Sequence, residues 1–232
     1  MFDLGFRVVA ALGLMSGLIY WVVYSWRDGE DWLRSIIKTT TLAPLAAFWL
    51  LTGAMAGTPD WPMATGLALG VFGDFLLSRP GGKAFLAGMA AFGLGHVAYA
   101  VGIVMRSGEL GFAPIGGEQF WALCAIAALV ISTEVWLRPH TGALLWPVRI
   151  YVVVIALMAV AATVLPENPG RAELQLGAAL FLVSDLLLAI RLFVLRGGRS
   201  RALLGGLLWP AYVFGQLLIF WGAVLFWTFP KA

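Results

Sequence analysis

Two aspartates stand inside long apolar segments of this chain. Asp74 lies near the end of the apolar run 61–78, and Asp185 lies near the middle of the run 174–195. A carboxylate in the middle of a membrane span costs about 2.5–3.5 kcal/mol on insertion scales, so it persists where a partner or water satisfies it. Helix–helix packing rarely requires two buried carboxylates, so the pattern favours acid–base chemistry for both aspartates.

Other polar side chains occur at compatible depths in neighbouring apolar runs. His96 and Tyr99 are three residues apart, and Tyr212 and Gln216 are four apart, so each pair shares one helix face. Two further polar residues lie early in their runs, Lys38 and Tyr151. Together these residues predict one polar cavity that opens to the cytoplasm. The alternative is a structural hydrogen-bond network between helices, and it stays open for the histidine, the glutamine and the tyrosines.

Two common hydrolytic designs are disfavoured by the same residues. A catalytic zinc needs three protein ligands, and this chain has two histidines, of which His140 lies in a loop beside Pro139. Ser184 directly precedes Asp185, so the two side chains point about 100° apart on a helix. A Gly-x-Ser-x-Gly nucleophile elbow is absent from the sequence. We therefore expect neither a metal site nor a serine nucleophile.

The composition indicates the kind of structure that positions these polar side chains. The chain has 232 residues, of which 61% are hydrophobic and 12% are charged. Soluble domains carry about 45–50% apolar and about 25% charged residues, so this surface needs lipid as its solvent. The net charge of +3 is scattered and does not suggest a nucleic-acid partner. The sequence predicts a single integral membrane domain over residues 1–232.

Turn residues and charges between the apolar runs predict about eight helices. The breaks include Gly57-Thr58-Pro59-Asp60 and Arg79-Pro80-Gly81-Gly82-Lys83. The predicted spans cover residues 6–26, 36–55, 61–78, 85–105, 120–137, 146–164, 174–195 and 203–229. The expected fold class is therefore all-α, a polytopic transmembrane bundle.

The basic residues predict the orientation of this bundle. The loops after spans 1, 3, 5 and 7, with their flanks, hold eleven basic residues, whereas the opposite side holds four. The eleven are Arg27, Arg34, Lys38, Arg79, Lys83, Arg138, Arg149, Arg191, Arg196, Arg199 and Arg201. Because cytoplasmic loops are enriched in Lys and Arg, we expect odd-numbered loops in the cytoplasm and both termini on the other side.

The two halves of the sequence also resemble each other. Span 3 ends with a small residue followed by Asp74, and span 7 contains Ser184-Asp185 in a similar apolar setting. Each segment is followed by a basic, glycine-containing loop and a glycine-rich span. Since four spans separate the two aspartates, the pattern suggests a parallel four-plus-four repeat, with its axis along the membrane normal.

Several motifs occur in register along nearly the whole chain. They are Lys38, Gly73-Asp74-x-x-Leu77, Phe85-Leu86-x-Gly88-x-x-Ala91-Phe92-x-x-Gly95-His96-x-x-Tyr99, Tyr151 with Met158, Gly177-x-x-x-Phe181-x-x-Ser184-Asp185, and Tyr212-x-x-x-Gln216. In order and spacing they resemble the YhhN family of lysoplasmalogenase-like membrane proteins. The chain departs from that pattern at Thr39, where a proline is expected, and at Leu186 and Arg191, where polar positions are often found.

The resemblance implies an eight-helix enzyme that cleaves the vinyl ether bond of lysoplasmalogens, giving a fatty aldehyde and a glycerophospho-alcohol. Vinyl ethers hydrolyse by protonation at carbon, and water then attacks the resulting oxocarbenium-like cation. One protonated and one ionised carboxyl group suit this chemistry, as they do in glycosidases. We therefore expect Asp74 and Asp185 in these two roles, in either order, without a cofactor.

The remaining candidates surround this pair. His96 is expected to tune the acid or position water together with Tyr99, and Lys38 to meet the substrate phosphate. The other expected substrate contacts are Tyr151, Ser184, Tyr212 and Gln216. The expected partners are a lysophospholipid or ether-lipid substrate and membrane lipids, and a homodimer stays open.

Three other readings remain at this stage. A proton-coupled transporter or lipid-handling protein would use the same buried carboxylates, although no Gly/Pro interruption is matched in both halves; Pro44 and Pro210 are the candidates. A metal-dependent lipid amidase or esterase would use the acids with His96. A membrane protein with a purely structural role is the third reading.

Overall fold

The computed structural model describes residues 4–52 and 61–228, and every regular element in these two ranges is helical. The α-helices are α1 Leu4–Val23, α2 Trp32–Thr40, α3 Ala43–Thr52, α4 Trp61–Leu77, α5 Gly82–Leu110, α6 Gly117–Trp136, α7 Arg138–Thr141, α8 Leu145–Thr163, α9 Arg171–Ala189 and α10 Gly198–Thr228. A short 3₁₀ helix, Gly142–Leu144, leads into α8, and a π-helical turn, Ile190–Val194, extends α9.

Within the described ranges, six helical segments are long and apolar enough to cross a bilayer. They are Leu4–Val23, Gly82–Leu110, Gly117–Trp136, Arg138–Thr163, Arg171–Val194 and Gly198–Thr228. The prediction of an all-α protein with several membrane-length helices is confirmed. The turn predicted at residues 57–60 and the basic residue at position 231 lie outside the described residues.

The predicted second span is divided into two helices, so the prediction of one continuous helix there is wrong. The segment begins at Trp32, and α2 and α3 are separated at Thr41 and Leu42. Pro44 follows directly; it has no N–H to bond the carbonyl four residues earlier, and its ring clashes with that carbonyl. In the turn before the break, the hydroxyls of Thr39, Thr40 and Thr41 each bond the carbonyl four residues earlier. Such bonds bend helices.

Two antiparallel helix pairs, α4 with α5 and α9 with α10, make the closest contacts in the fold. In the first pair, Gly66 leaves room for the ring of Tyr99, which a Cβ atom would overlap. In the second pair, a Cβ on Gly177 would lie 2.9 Å from the carbonyl oxygen of Gly215. Glycine is therefore required at both crossings, and the close approach buries the polar residues between the pairs.

Helix α6 lies at the edge of the bundle. It has no buried residue over Gly117–Trp136 and packs chiefly against α7 and α8. This loose packing leaves an apolar cleft between α6, α8 and α9, lined by Ile126, Val130, Val152, Ile155 and Leu182 among others.

Candidate active site

A polar cavity of about 520 Å³ lies among α2, α4, α9 and α10. Both aspartates line it, and so do Lys38, Ser184 and Tyr212. Asp74 comes from the last turn of α4, and Asp185 comes from α9 one turn before its π-helical extension. The fold thus brings together two carboxyl groups that are 111 residues apart in the sequence.

Asp74 is held by a cation and a phenol. Its Oδ1 lies 3.0 Å from the Nζ of Lys38, and its Oδ2 accepts a 2.7 Å hydrogen bond from the hydroxyl of Tyr212. Asp74 is 1% exposed and Lys38 is 14% exposed, so the ion pair is shielded from bulk water. A buried carboxylate with an ammonium partner and a donated hydrogen bond is stabilised in its ionised form. Asp74 is therefore the aspartate with a cationic partner.

Asp185 has a different set of partners. Its Oδ2 accepts a 2.7 Å hydrogen bond from the hydroxyl of Tyr151 on α8. The same oxygen lies 3.2 Å from the Nε2 of His96 on α5. The imidazole of His96 is 1% exposed and packs against the ring of Phe181. Among the described residues, no lysine or arginine forms an ion pair with Asp185, in contrast to Asp74.

The two ring nitrogens of His96 have different surroundings. Its Nδ1 lies 2.6 Å from the carbonyl oxygen of Phe92, and a carbonyl can only accept, so Nδ1 carries a hydrogen. Its Nε2 lies 3.2 Å from Oδ2 of Asp185, yet it has no hydrogen-bond partner among the described residues. The imidazole and the carboxyl group are therefore close enough to exchange a proton after a small change in orientation.

Tyr99 and Gln216 lie behind the cavity wall. The hydroxyl of Tyr99 donates to Oε1 of Gln216 at 2.7 Å, and both residues are almost fully buried. Neither lines the polar cavity or the apolar cleft. Gln216 lies beside Tyr212, so this pair supports the phenol that holds Asp74. The hydroxyl of Ser184 donates to the carbonyl of Phe181 in its own helix.

Asp185 stands where the polar cavity meets the apolar cleft. It lines both spaces, together with Phe92, Leu77 and a few other apolar residues. The cleft has a volume of about 90 Å³ and is almost wholly hydrocarbon-lined. The site therefore offers an amphiphile a polar compartment and an apolar slot, with one carboxyl group at their junction.

Charged residues that were not predicted from the sequence to line the cavity lie at its mouth. They are Arg34, Arg79, Arg191 and Arg201, with Asp28 and Glu30. In the sequence, the four arginines indicate the orientation of the bundle, and Arg191 also departs from the family pattern. Arginine is frequent at the ends of three spans, but a local pattern cannot show that these residues line one cavity.

Asp28 forms the ion pairs at this mouth. Its carboxylate lies 3.0 Å from both Arg191 and Arg201. Burial raises the pKa of the Asp28 carboxyl, but the hydrogen bond from Arg201 and the charges of both guanidinium groups outweigh this effect. The net pKa of Asp28 therefore lies below its ordinary value of 3.8.

No metal-binding cluster of three His, Cys, Asp or Glu side chains occurs within 4–52 and 61–228. The set of Asp74, Asp185 and His96 does not converge on one point, because Asp74 pairs with Lys38 and only Asp185 contacts the imidazole. In the described site the two aspartates therefore have separate partners.

Comparisons with known proteins place this chain in a family. The model of the YhhN family matches residues 33–223. Lysoplasmalogenase TMEM86A from Bos taurus is 29% identical over 219 residues, covering 89% of this chain and 84% of the bovine protein. Proteins named lysoplasmalogenase from Mycobacterium bovis and Mycobacterium tuberculosis are each 30% identical over 228 residues, covering 93% of this chain and 82% of theirs. No solved structure matches the chain.

Proposed function

Because the chain belongs to the YhhN family, we propose that this multi-pass membrane protein hydrolyses the vinyl ether bond of lysoplasmalogens. The observation that carries the proposal is the position of Asp185, at the junction of a polar cavity and an apolar cleft. A lysoplasmalogen has one aliphatic chain, joined to a polar phosphoglycerol group through the vinyl ether. Its reactive bond would thus lie beside the carboxyl group that is 3.2 Å from the imidazole of His96.

The reaction begins with proton transfer to carbon. Asp185, acting with His96, delivers a proton to the second carbon of the alkenyl chain, which converts the double bond into an oxocarbenium ion. Water adds to the first carbon and returns a proton to the pair. The resulting hemiacetal then breaks its bond to the glycerol oxygen, releasing the alcohol and the aldehyde. One water is consumed, and the acid is regenerated.

Asp74 has the complementary role in this scheme. Its negative charge is maintained by Lys38 and Tyr212, and a fixed anion in a cavity of low dielectric stabilises a developing cation without reorganisation. In this scheme Asp185 is the acid and Asp74 is the counter-charge, an assignment that the sequence left open. Lys38 then serves Asp74 rather than the phosphate, and Tyr151 orients Asp185.

The expected topology forms part of the proposal. We place eight crossings in the bilayer, with α2 and α3 together forming the second and α4 the third. The 17 residues of α4 rise about 26 Å, close to the hydrocarbon thickness. Both termini would be outside the cytoplasm and the polar cavity would open toward it, because the arginine-rich loops border its mouth. A reporter that is active only in the cytoplasm should be inactive when fused to the C-terminus.

The partners of the two aspartates support a parallel repeat. Lys38 stands 36 residues before Asp74, and Tyr151 stands 34 residues before Asp185. Each therefore comes from the second span of its own half and contacts the aspartate of that half. The other partners cross between halves: α10 supplies Tyr212 to Asp74, and α5 supplies His96 to Asp185. This reciprocal pattern is the arrangement expected of a four-plus-four duplication.

One observation favours a second candidate function. The broken segment at Thr41 and Leu42 resembles the interrupted helices of transporters. Its counterpart in the other half, α8, is continuous over Leu145–Thr163, so the interruption is not repeated. Uptake of a lipid or solute into vesicles that depends on a proton gradient, without aldehyde formation, would support transport instead.

The test of the proposed function is an assay of the purified protein. It should release a fatty aldehyde from a lysoplasmalogen. It should leave the matched lyso-ester lipid intact, since the second carbon of the acyl chain has no double bond through which it could accept the proton. Free fatty acid from the ester, with no aldehyde from the vinyl ether, would contradict the proposal.

A further inference from the structure

Three arginines converge on the mouth of the polar cavity from separate parts of the chain. We call Arg34, Arg191 and Arg201 the arginine mouth. Arg34 comes from α2, Arg191 from the π-helical turn that follows α9, and Arg201 from the first turn of α10. Like charges repel at such distances, so a cluster of this kind is stable only when anions accompany it.

The arginine mouth is built into the fold. Arg34 is 6% exposed; its Nη2 donates to the carbonyl of Arg27 at 2.8 Å, and its guanidinium lies over the ring of Tyr20. Arg201 donates from Nη1 to the carbonyls of Arg191 and Leu195, so one side of its guanidinium is fixed. Neither group is a freely rotating surface side chain.

Arg191 retains an unused donor. Its side chain is 11% exposed, and its buried Nε–H has no hydrogen-bond acceptor among the described residues. A buried guanidinium donor without an acceptor is costly, so a ligand oxygen that reached this N–H would gain a hydrogen bond. Arg191 lines the same cavity that holds Asp74 and Asp185.

Among the described residues, Asp28 is the carboxylate that forms ion pairs with guanidinium groups of this cluster. One of its oxygens accepts from Arg191 and the other from Arg201, each at 3.0 Å. The residue lies in the loop between α1 and α2 and is 64% exposed. An exposed loop carboxylate that spans two guanidinium groups occupies the position in which a phosphate would bind them.

From these contacts we propose that the arginine mouth binds the phosphate of the substrate head group and that Asp28 is a stand-in anion, which the phosphate displaces. The inference rests on the proposed function for the identity of the lipid. Asp185 and Arg191 are six residues apart, about 9 Å along the helix. Phosphate at the arginine mouth would thus place the glycerol between it and Asp185, with the alkenyl chain in the apolar cleft.

The test measures binding rather than turnover. The probes are a 1-O-alkyl lysophosphoethanolamine, which lacks the vinyl bond, and a 1-O-alkylglycerol of the same chain length, which lacks the phosphate. The wild-type protein in detergent should bind the phospholipid about tenfold or more tightly than the alkylglycerol, given the strength of charge-assisted hydrogen bonds. Asp28→Asn should increase this preference by removing the competing carboxylate.

Two arginine variants and a matched control complete the experiment. Arg191→Gln should remove most of the preference for the phospholipid over the alkylglycerol. Arg34→Gln, measured on folded protein, should have the same effect. Arg199→Gln removes an exposed positive charge near the start of α10 that does not line the cavity, and it should keep the preference. Equal binding of the two probes by the wild type, or a preference that survives Arg191→Gln, would overturn the inference.

The outcomes for site and function are separable. If the wild type binds the phospholipid preferentially but releases no aldehyde from a lysoplasmalogen, the phosphate site stands and the proposed reaction fails. If aldehyde is released and the phosphate has no effect on binding, the reaction stands and the arginine mouth has another role.

Discussion

The Nε2 atom of His96 lies 3.2 Å from the Oδ2 atom of Asp185, while the other ring nitrogen of His96 contacts a backbone carbonyl. This relationship distinguishes the two buried carboxyl groups. Asp74 faces an ammonium group, whereas Asp185 faces an imidazole with which it can exchange a proton. Acid catalysis through a cation requires two carboxyl groups in different environments within one cavity, and these contacts supply that difference.

Replacing either aspartate should abolish turnover for different reasons. Asp185→Asn removes the proton donor, and Asp74→Asn removes the counter-charge, so aldehyde release should fall by at least about a hundredfold in each. Glu118→Gln, which changes an exposed carboxylate on α6, is the matched control and should retain activity. Full activity in Asp185→Asn would exclude the proposed acid.

The stability of the two variants should differ. Asp74→Asn leaves the buried Lys38 ammonium unpaired, and breaking a buried pair typically destabilises by about 3–5 kcal/mol. The double variant Lys38→Met/Asp74→Asn should recover much of the loss without recovering activity. Thermal unfolding in detergent measures both effects. A double variant no more stable than Asp74→Asn would indicate that the ion pair is not the source of the loss.

Protonation at carbon can be detected by deuterium incorporation into the product. In D₂O, the aldehyde released from a lysoplasmalogen should carry one deuterium at its second carbon, because the proton that Asp185 delivers exchanges with solvent. Mass spectrometry of the product, trapped at once by reduction, detects the label. His96→Gln should lower the rate by about 10²–10⁴-fold, the usual effect of a general acid–base group. An unlabelled aldehyde would contradict proton transfer to carbon.

The apolar cleft should set the preferred chain length. Val130 lines the cleft from α6, whereas the next residue, Ile131, is exposed on the outer face of the same helix. Val130→Trp should therefore lower kcat/KM for long alkenyl chains relative to short ones. The expected decrease is about fourfold for each methylene that the tryptophan displaces, because burying one methylene contributes about 0.8 kcal/mol. Ile131→Trp is the control for bulk on α6. An equal effect of both variants would argue that the chain binds elsewhere.

The ion pairs of Asp28 should appear in the pH dependence of stability. The pKa of Asp28 is lower in the folded protein than its unfolded value of about 3.8, so its contribution is present above that pH and is lost as pH falls through the folded pKa. The thermal midpoint of the wild type should exceed that of Asp28→Asn near neutral pH, and the two should converge below about pH 4. A difference that is constant with pH would contradict this account.

Much of the architecture follows from local properties of the sequence. Hydrophobicity and turn residues act over a few positions, so they predicted an all-α membrane protein, and the motif spacing predicted the family, which the comparison confirms. The same local view singled out Asp74, Asp185 and His96, since a charge in an apolar run is visible without any contact. It did not predict the break before Pro44, because apolar residues lie on both sides of the polar stretch Thr39-Thr40-Thr41 and suggest one span.

Only the tertiary structure decided which polar side chains contact each other. Lys38 and Tyr151 look alike in sequence, as polar residues early in their spans, yet one supplies a charge to Asp74 and the other a hydroxyl to Asp185. Arg34, Arg191 and Arg201 meet only because three distant segments end at one cavity. Protonation and ligand binding depend on Coulomb and hydrogen-bond energies that change within a few ångströms. The sequence determines the helices that carry these groups, and the distances between groups come from how the helices pack.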